Sequence, residues 1–133
     1  MRVLADTSVW VDMFRGGRSP AVEILGELLR EGLLCTHGLI RAEILSGTKS
    51  LRDYRRLEEG LSALDELSDP PGLWDRVAWT RYRLARQGIQ AGVADLVVAV
   101  SASHHGALLL TLDRAFQRIR RVLPLELVET LTH

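Results

Sequence analysis

Cysteine is almost missing from this chain: Cys35 stands alone among 133 residues. One thiol excludes an internal disulfide and a zinc site built on cysteines. It follows Leu33 and Leu34, so it reads as a small buried hydrophobe. Lysine is as scarce. Lys49 is the only one, and the basic set is otherwise arginine. Arginine suits bidentate phosphate contacts; genome composition is an equally good source of the excess. There is no surplus of either charge, with 17 bases and 17 acids. Affinity for a polyanion must therefore come from local patches. No apolar run approaches the length of a membrane span. The N-terminus shows no charged segment followed by a long apolar one, as a secretory leader would. The expected location is the cytoplasm. Repeats, low-complexity tracts and linkers are absent too. With 47% hydrophobic and 26% charged residues, the chain reads as one globular domain, 1–133, able to bury a core.

Along that length, apolar strands alternate with helices. Arg2–Ala5 reads as a short strand and Thr7–Phe14 as a helix broken by Gly16-Gly17. Ser19-Pro20 supplies an N-cap and a first-turn proline for a helix over Ala21–Glu31, ended by Gly32. Leu33–Thr36 reads as a strand, then Leu39–Ser46 and Arg52–Leu64 as helices. Asp69-Pro70-Pro71-Gly72 is a firm break. Helices are expected over Leu73–Gln87 and Val93–His105, a strand over Ala107–Leu112, a short basic helix over Arg114–Arg121 and a last strand over Pro124–Val128. The strands are continuous apolar runs rather than alternating ones. That pattern predicts an α/β fold with a central, mostly parallel sheet flanked by helices on both faces.

Four acids stand where apolar residues belong. Asp6 follows the strand RVLA and Asp113 follows ALLLTL. In a parallel sheet both would stand at the carboxyl edge, where such folds build their sites. Asp95 lies in the first turns of the apolar helix GVADLVVAVSA, with Val98 and Ala99 one turn on. Glu43 lies in LIRAEILSG, on a face with Leu39, Ile40 and Gly47. Each has a purely structural reading. Asp6 and Asp113 suit helix N-caps, Asp95 suits a first-turn acid facing the helix dipole, and Glu43 suits a pair with Arg41. Together they suggest more. Two strand-end acids and two helix acids can converge on one point, and converging carboxylates repel unless a cation lies between them. Only hard oxygen donors are on offer, so the expected cation is Mg²⁺ or Mn²⁺. Such ions on carboxylates suit phosphodiester hydrolysis. Thr7, Ser8 and Thr111 are hydroxyls beside two of the acids, placed to orient carboxylates or to cap helices.

These stretches resemble the motifs of the PIN-domain ribonucleases and, among them, of the VapC-like toxins of type II toxin–antitoxin pairs. ADTSVWVDMF resembles the first motif, with Asp6 as its leading acid and Asp12 as a supporting residue. LIRAEILSG resembles the second, with Glu43. DLVVAVSASHHGALLLTLDRAF resembles the third and fourth together, with Asp95, Thr111, Asp113 and Phe116. The ordered set spans nearly the whole chain. The resemblance implies a PIN fold, a homodimer, Mg²⁺- or Mn²⁺-dependent endonuclease cleavage of RNA, and a small antitoxin partner that blocks the site. It implies Asp6 and Asp95 as direct metal contacts, with Glu43 and Asp113 completing the catalytic four. One departure is visible: Arg114-Ala115 stands where family members often carry another acid.

Other residues admit two uses each. Arg114, Arg118, Arg120 and Arg121 form a basic cluster, read either as a phosphate contact or as a solvated helix face. His104 and His105 lie about 15 Å along a helix from Asp95, which suits helix-end cations better than ligands. Trp10, Trp74, Trp79 and Tyr82 are expected in core or subunit contacts, with base stacking as the rival use. Two rival functions remain beside the toxin, a housekeeping RNA-processing enzyme and a PIN-fold binding module without chemistry, while a third, a phospho-acceptor domain, fails. The last needs a lysine at a strand end, and Lys49 lies at a helix end.

Overall fold

The computed structural model describes residues 1–130; the last three residues of the expected domain lie outside it. Its strands are β1 (Val3–Ala5), β2 (Leu34–His37), β3 (Asp65–Leu67) and β4 (Leu108–Leu110). Its helices are α1 (Thr7–Phe14), α2 (Pro20–Glu31), α3 (Gly38–Ser46), α4 (Leu51–Ser62), α5 (Leu73–Arg86), α6 (Val93–His105) and α7 (Ala115–Ile119). The strands pair in the order β3-β2-β1-β4, and every pair is parallel. All residues of β1 and β2 are buried, whichever face they point to. Helices must therefore cover both faces, which is why these strands read as unbroken apolar runs.

Local chemistry sets the boundaries. The Ser19 hydroxyl accepts from the Val22 amide with Pro20 in the first turn, and α2 ends on Gly32 in the left-handed region (φ 71°). The turn before α2 is closed by Asp12: its carbonyl accepts from the Gly17 amide at 2.8 Å and its carboxylate from the Ser19 hydroxyl at 2.9 Å. A Cβ on Gly17 would clash with that carboxylate. Gly17→Ala is therefore expected to lose the Asp12–Ser19 bond and to cost about 1–2 kcal/mol in a urea melt. An unchanged midpoint would show that the turn accommodates a methyl group.

α6 is the central helix. Every residue from Leu96 to Ala102 is buried, and it packs against α3, α5, α7, β3 and β4. The sequence pattern misses β3. Asp65 and Glu66 are exposed, and only Leu67 turns inward, so the segment carries no apolar run. Its strand character comes from pairing beside Cys35, Thr36 and His37. The expected last strand, Pro124–Val128, is shorter than its apolar pattern suggests. It reduces to one parallel bridge, Leu127 to Leu109, held by two backbone hydrogen bonds of 2.9 Å. Among the described residues no helix is long and apolar enough to cross a membrane.

Candidate active site

The strand order decides where the site lies. From β1 the chain runs outward through β2 and β3, then returns to lay β4 on the other side of β1. The crevice at such a reversal, beyond the carboxyl ends of the strands, is where open α/β sheets bind ligands. Asp6 leaves β1 at that point, and Asp113 lies three residues past the end of β4.

Asp6 is buried and tightly held. One carboxylate oxygen accepts from the Ser8 hydroxyl at 2.5 Å and the Ser8 amide at 3.1 Å, which makes Asp6 the N-cap of α1. The other accepts from the Thr111 hydroxyl at 2.5 Å. Thr111 in turn accepts from the Asp113 amide at 2.9 Å, and Ser8 from the Leu112 amide at 3.0 Å. Two short hydroxyl side chains thus join the ends of β1 and β4. Asp113 turns back to accept from the Ala115 amide at 2.9 Å, so it serves the start of α7 as well. Asp6 thus caps α1 as expected, whereas the N-cap position of α7 is Arg114 and Asp113 bonds the Ala115 amide from one residue before it.

Glu43 arrives from α3. It is exposed rather than set on an apolar face, because α3 buries Ile40, Ile44 and Leu45 and leaves Glu43 at the rim. The Thr7 hydroxyl donates to it at 2.8 Å, tying α3 to the start of α1. Arg41 does not pair with it; its guanidinium meets Glu66 at 3.1 Å. Asp95 lies in the first turn of α6 and still meets solvent. Burial raises its pKa, and the charges of Asp113, Asp6 and Glu43 raise it further, in that order. Asp95 therefore lies in the field of the other three. Burial also raises Asp6, against the lowering effect of its hydrogen bonds to Ser8 and Thr111. Among the described residues no Lys, Arg or His forms an ion pair with any of the four acids. Nor do any three Asp, Glu, His or Cys side chains there stand ready-made to grip a metal ion. The four share a field without forming a closed ligand shell.

A family model, the PIN domain, matches residues 3–122. The chain belongs to the PIN-domain family. Among the curated proteins, a VapC ribonuclease of Mycobacterium bovis is 32% identical over 93% of this PIN domain and 96% of its own length. Ribonuclease VapC11 of Mycobacterium tuberculosis matches at the same identity and coverage. Among solved structures, VapBC-1 from nontypeable Haemophilus influenzae superposes with a TM-score of 0.76 at 21% identity, covering 97% of this chain and 98% of that one. At that identity the match shows the fold.

Within the PIN domain, one group near the sheet edge has almost no signature in the sequence. His37 ends β2, one strand from Asp6, and is 3% exposed. Its Nδ1 accepts from the Leu39 amide at 3.1 Å and so caps α3. The ring proton then lies on Nε2, which donates to Asp69 at 2.7 Å and stands 3.4 Å from the buried Ser101 hydroxyl of α6. The ring thus ties together the helices that carry Glu43 and Asp95. Its only signal in sequence is the one Asp6 shares, a polar residue between an apolar strand and a helix. His104 and His105 lie at the far end of α6 from Asp95, bonded to Arg76 and to the Ser68 carbonyl. Arg114, Arg118, Arg120 and Arg121 are all exposed.

The raised values carry a sign for stability. A carboxyl with a folded pKa above its unfolded one binds protons better in the native state, so stability falls as pH rises through that window. Asp95→Asn removes one such group. In chelator at neutral pH its Tm is expected to exceed wild type by about 1–3 °C. That gain should shrink as the pH falls to the ordinary carboxylate range. A variant that melts below wild type at neutral pH would contradict the repulsion.

Proposed function

We propose that this PIN-domain protein is a Mg²⁺- or Mn²⁺-dependent endoribonuclease of the cytoplasm, acting as the toxin of a VapBC-type toxin–antitoxin pair. The observation that carries the chemistry is Asp95 held in the field of Asp6, Glu43 and Asp113, with no protein cation among them in the described residues. The donor set fits a hard divalent ion, since it offers carboxylate oxygens and no thiolate. Asp6 and Asp95 would hold the ion, with Glu43 and Asp113 completing the cluster. When bound, it would polarise the scissile phosphoryl group and steady the leaving oxygen.

The chain's own residues prepare that chemistry. Ser8 and Thr111 fix both oxygens of Asp6, so the buried carboxylate does not rotate when charge builds nearby. Thr7 holds Glu43 on the near side of α3. An antitoxin partner is supported by the comparisons, since curated relatives are named VapC ribonucleases and the Haemophilus structure is of VapBC-1. RNA as substrate and a small antitoxin as inhibitor are proposed on that support, and a second copy as dimer partner is proposed on the family resemblance alone.

The test is cleavage of total RNA by the purified chain with Mg²⁺, with Mn²⁺ and with EDTA. Cutting is expected with either ion and not with chelator, and a cognate small antitoxin should suppress it. Cutting that persists in EDTA would overturn the metal assignment. Failure to cut with either ion would favour a binding module.

A further inference from the structure

The four acids are not held alike. Hydroxyls fix both oxygens of Asp6, and Glu43 takes one bond from Thr7. Among the described residues no hydrogen bond fixes the Asp95 carboxylate. Its place is therefore the place of α6. That helix starts at Gly92, which supplies no side-chain cap, and its buried stretch, Leu96–Ala102, is apolar except for Ser101. Apolar packing holds α6 against α3 but is non-directional, so it resists separation better than sliding. A buried polar contact is directional and sets the register. The polar ties from His104 and His105 lie at the far end of α6 and reach α5 and the loop after β3.

Ser101 meets His37. The serine hydroxyl is fully buried and lies 3.4 Å from the ring Nε2. The same ring takes the Leu39 amide on Nδ1, at the start of α3. Glu43 lies less than two turns beyond that cap, and Asp95 less than two turns before Ser101. One side chain thus links the helix of Glu43 to the helix of Asp95 where the two pack.

Asp69 decides how the ring is used. Neutral imidazole has one donor nitrogen and one acceptor. With Asp69 accepting from Nε2–H at 2.7 Å, the acceptor is left on Nδ1, where the Leu39 amide needs one. Without that carboxylate, the tautomer with its proton on Nδ1, donor against donor, becomes easier to reach. Histidines on metal ions are aimed in the same way, by a carboxylate on the other nitrogen. Here the aimed nitrogen holds a helix. The Asp69 side chain is 67% exposed, so its removal leaves no cavity.

We infer that His37, aimed by Asp69, is a positioning residue of the metal site, locking α3 to α6 so that Glu43 and Asp95 keep their mutual placement. The inference rests on the proposed metal assignment, and it is read by ion binding rather than by cutting. Such coupling is reciprocal: if the ring's contacts favour the bound ion, the bound ion favours those contacts. In wild type, Mg²⁺ should therefore slow hydrogen exchange at the Leu39 amide. Calorimetry follows the Mn²⁺ binding that Asp6→Asn abolishes, at a temperature where near-ultraviolet circular dichroism shows every variant folded. His37→Ala should weaken that binding at least about fivefold. His37→Asn keeps an acceptor for α3 and should restore part of it. Asp69→Ala should weaken binding, whereas Asp69→Asn, which still accepts from Nε2–H, should match wild type. Leu28→Ala, a core truncation on α2, controls for lost stability and should bind Mn²⁺ as wild type does. At subsaturating Mg²⁺, His37→Ala should lower kcat and leave KM for RNA unchanged.

Equal Mn²⁺ affinity in wild type and His37→Ala would overturn the inference. So would a Leu39 amide whose exchange ignores Mg²⁺. If Leu28→Ala weakens binding as much as His37→Ala, the effect is general loss of stability and the positioning role falls. Wild type that binds neither ion would overturn this role together with the metal assignment. Wild type that binds an ion with the expected dependence on His37 and Asp69, yet never cuts RNA, would uphold the role and sink the nuclease reading instead.

Discussion

Asp6→Asn is expected to lower RNA cleavage by on the order of 10³-fold, with the fold retained. Both halves of that result follow from the hydrogen bonds. The amide oxygen of the introduced asparagine can keep the place that accepts from the Ser8 hydroxyl and amide, so the cap on α1 survives. Its amide nitrogen would face Thr111, whose hydroxyl oxygen can accept in place of donating while keeping the Asp113 amide. The variant also removes a charge whose burial is unfavourable, since burial holds Asp6 above the usual carboxylate range. Its Tm in chelator should therefore equal or exceed that of wild type. What it lacks is the anionic oxygen proposed to face the cation. Single-turnover cleavage beside a thermal melt separates the two effects. Substantial remaining activity in a folded variant would remove Asp6 from the catalytic four.

His37→Ala should produce the largest loss of stability at a polar site, about 2–4 kcal/mol. The change removes the acceptor that caps α3, the donor to Asp69 and the neighbour of the buried Ser101 hydroxyl, and it leaves a void at the end of β2. A total stability of about 5–15 kcal/mol is ordinary for a domain, so this is a large fraction. Asparagine is a good helix cap and does not reach Asp69 as a ring does. His37→Asn should therefore recover part of the loss, roughly the 1 kcal/mol of a cap. Urea midpoints of the three proteins decide it. If alanine costs less than about 1 kcal/mol, the ring does not join the two acid-bearing helices in the way its contacts suggest.

The acids were readable because each breaks a local rule. Asp6 and Asp113 interrupt apolar strands at their ends, and Asp95 interrupts an apolar helix. Each break has a hydrogen-bonded or electrostatic counterpart in the structure. Glu43 was legible as a member of the set but not as an exposed one, because helical spacing gives a face and not the depth to which a neighbour covers it. β3 was invisible for a related reason. Its two acids carry no apolar signal, and its conformation is imposed by the edge of β2. Trp79 and Tyr82 went the other way. Aromatic spacing on an amphipathic helix suggests core or subunit contact, and within this chain α5 buries Leu73, Val77, Thr80 and Leu84 instead, which removes the core half of that reading.

By itself the sequence determined the alternation of apolar strands with capped helices, and hence a parallel α/β sheet covered on both faces. It also singled out Asp6 and Asp95 as acids drawn away from solvent, while Glu43 and Asp113, chosen with them, are exposed. Those are local properties, written in the burial pattern and cap chemistry of neighbouring residues. Only the tertiary structure decided that β4 returns to the far side of β1, which sets Asp6 and Asp113 on adjacent strand ends. Only it decided that His37 joins the helices bringing Glu43 and Asp95 to the same edge. Strand order and helix placement are settled by which apolar faces pack together over long separations along the chain, and no local pattern encodes that choice.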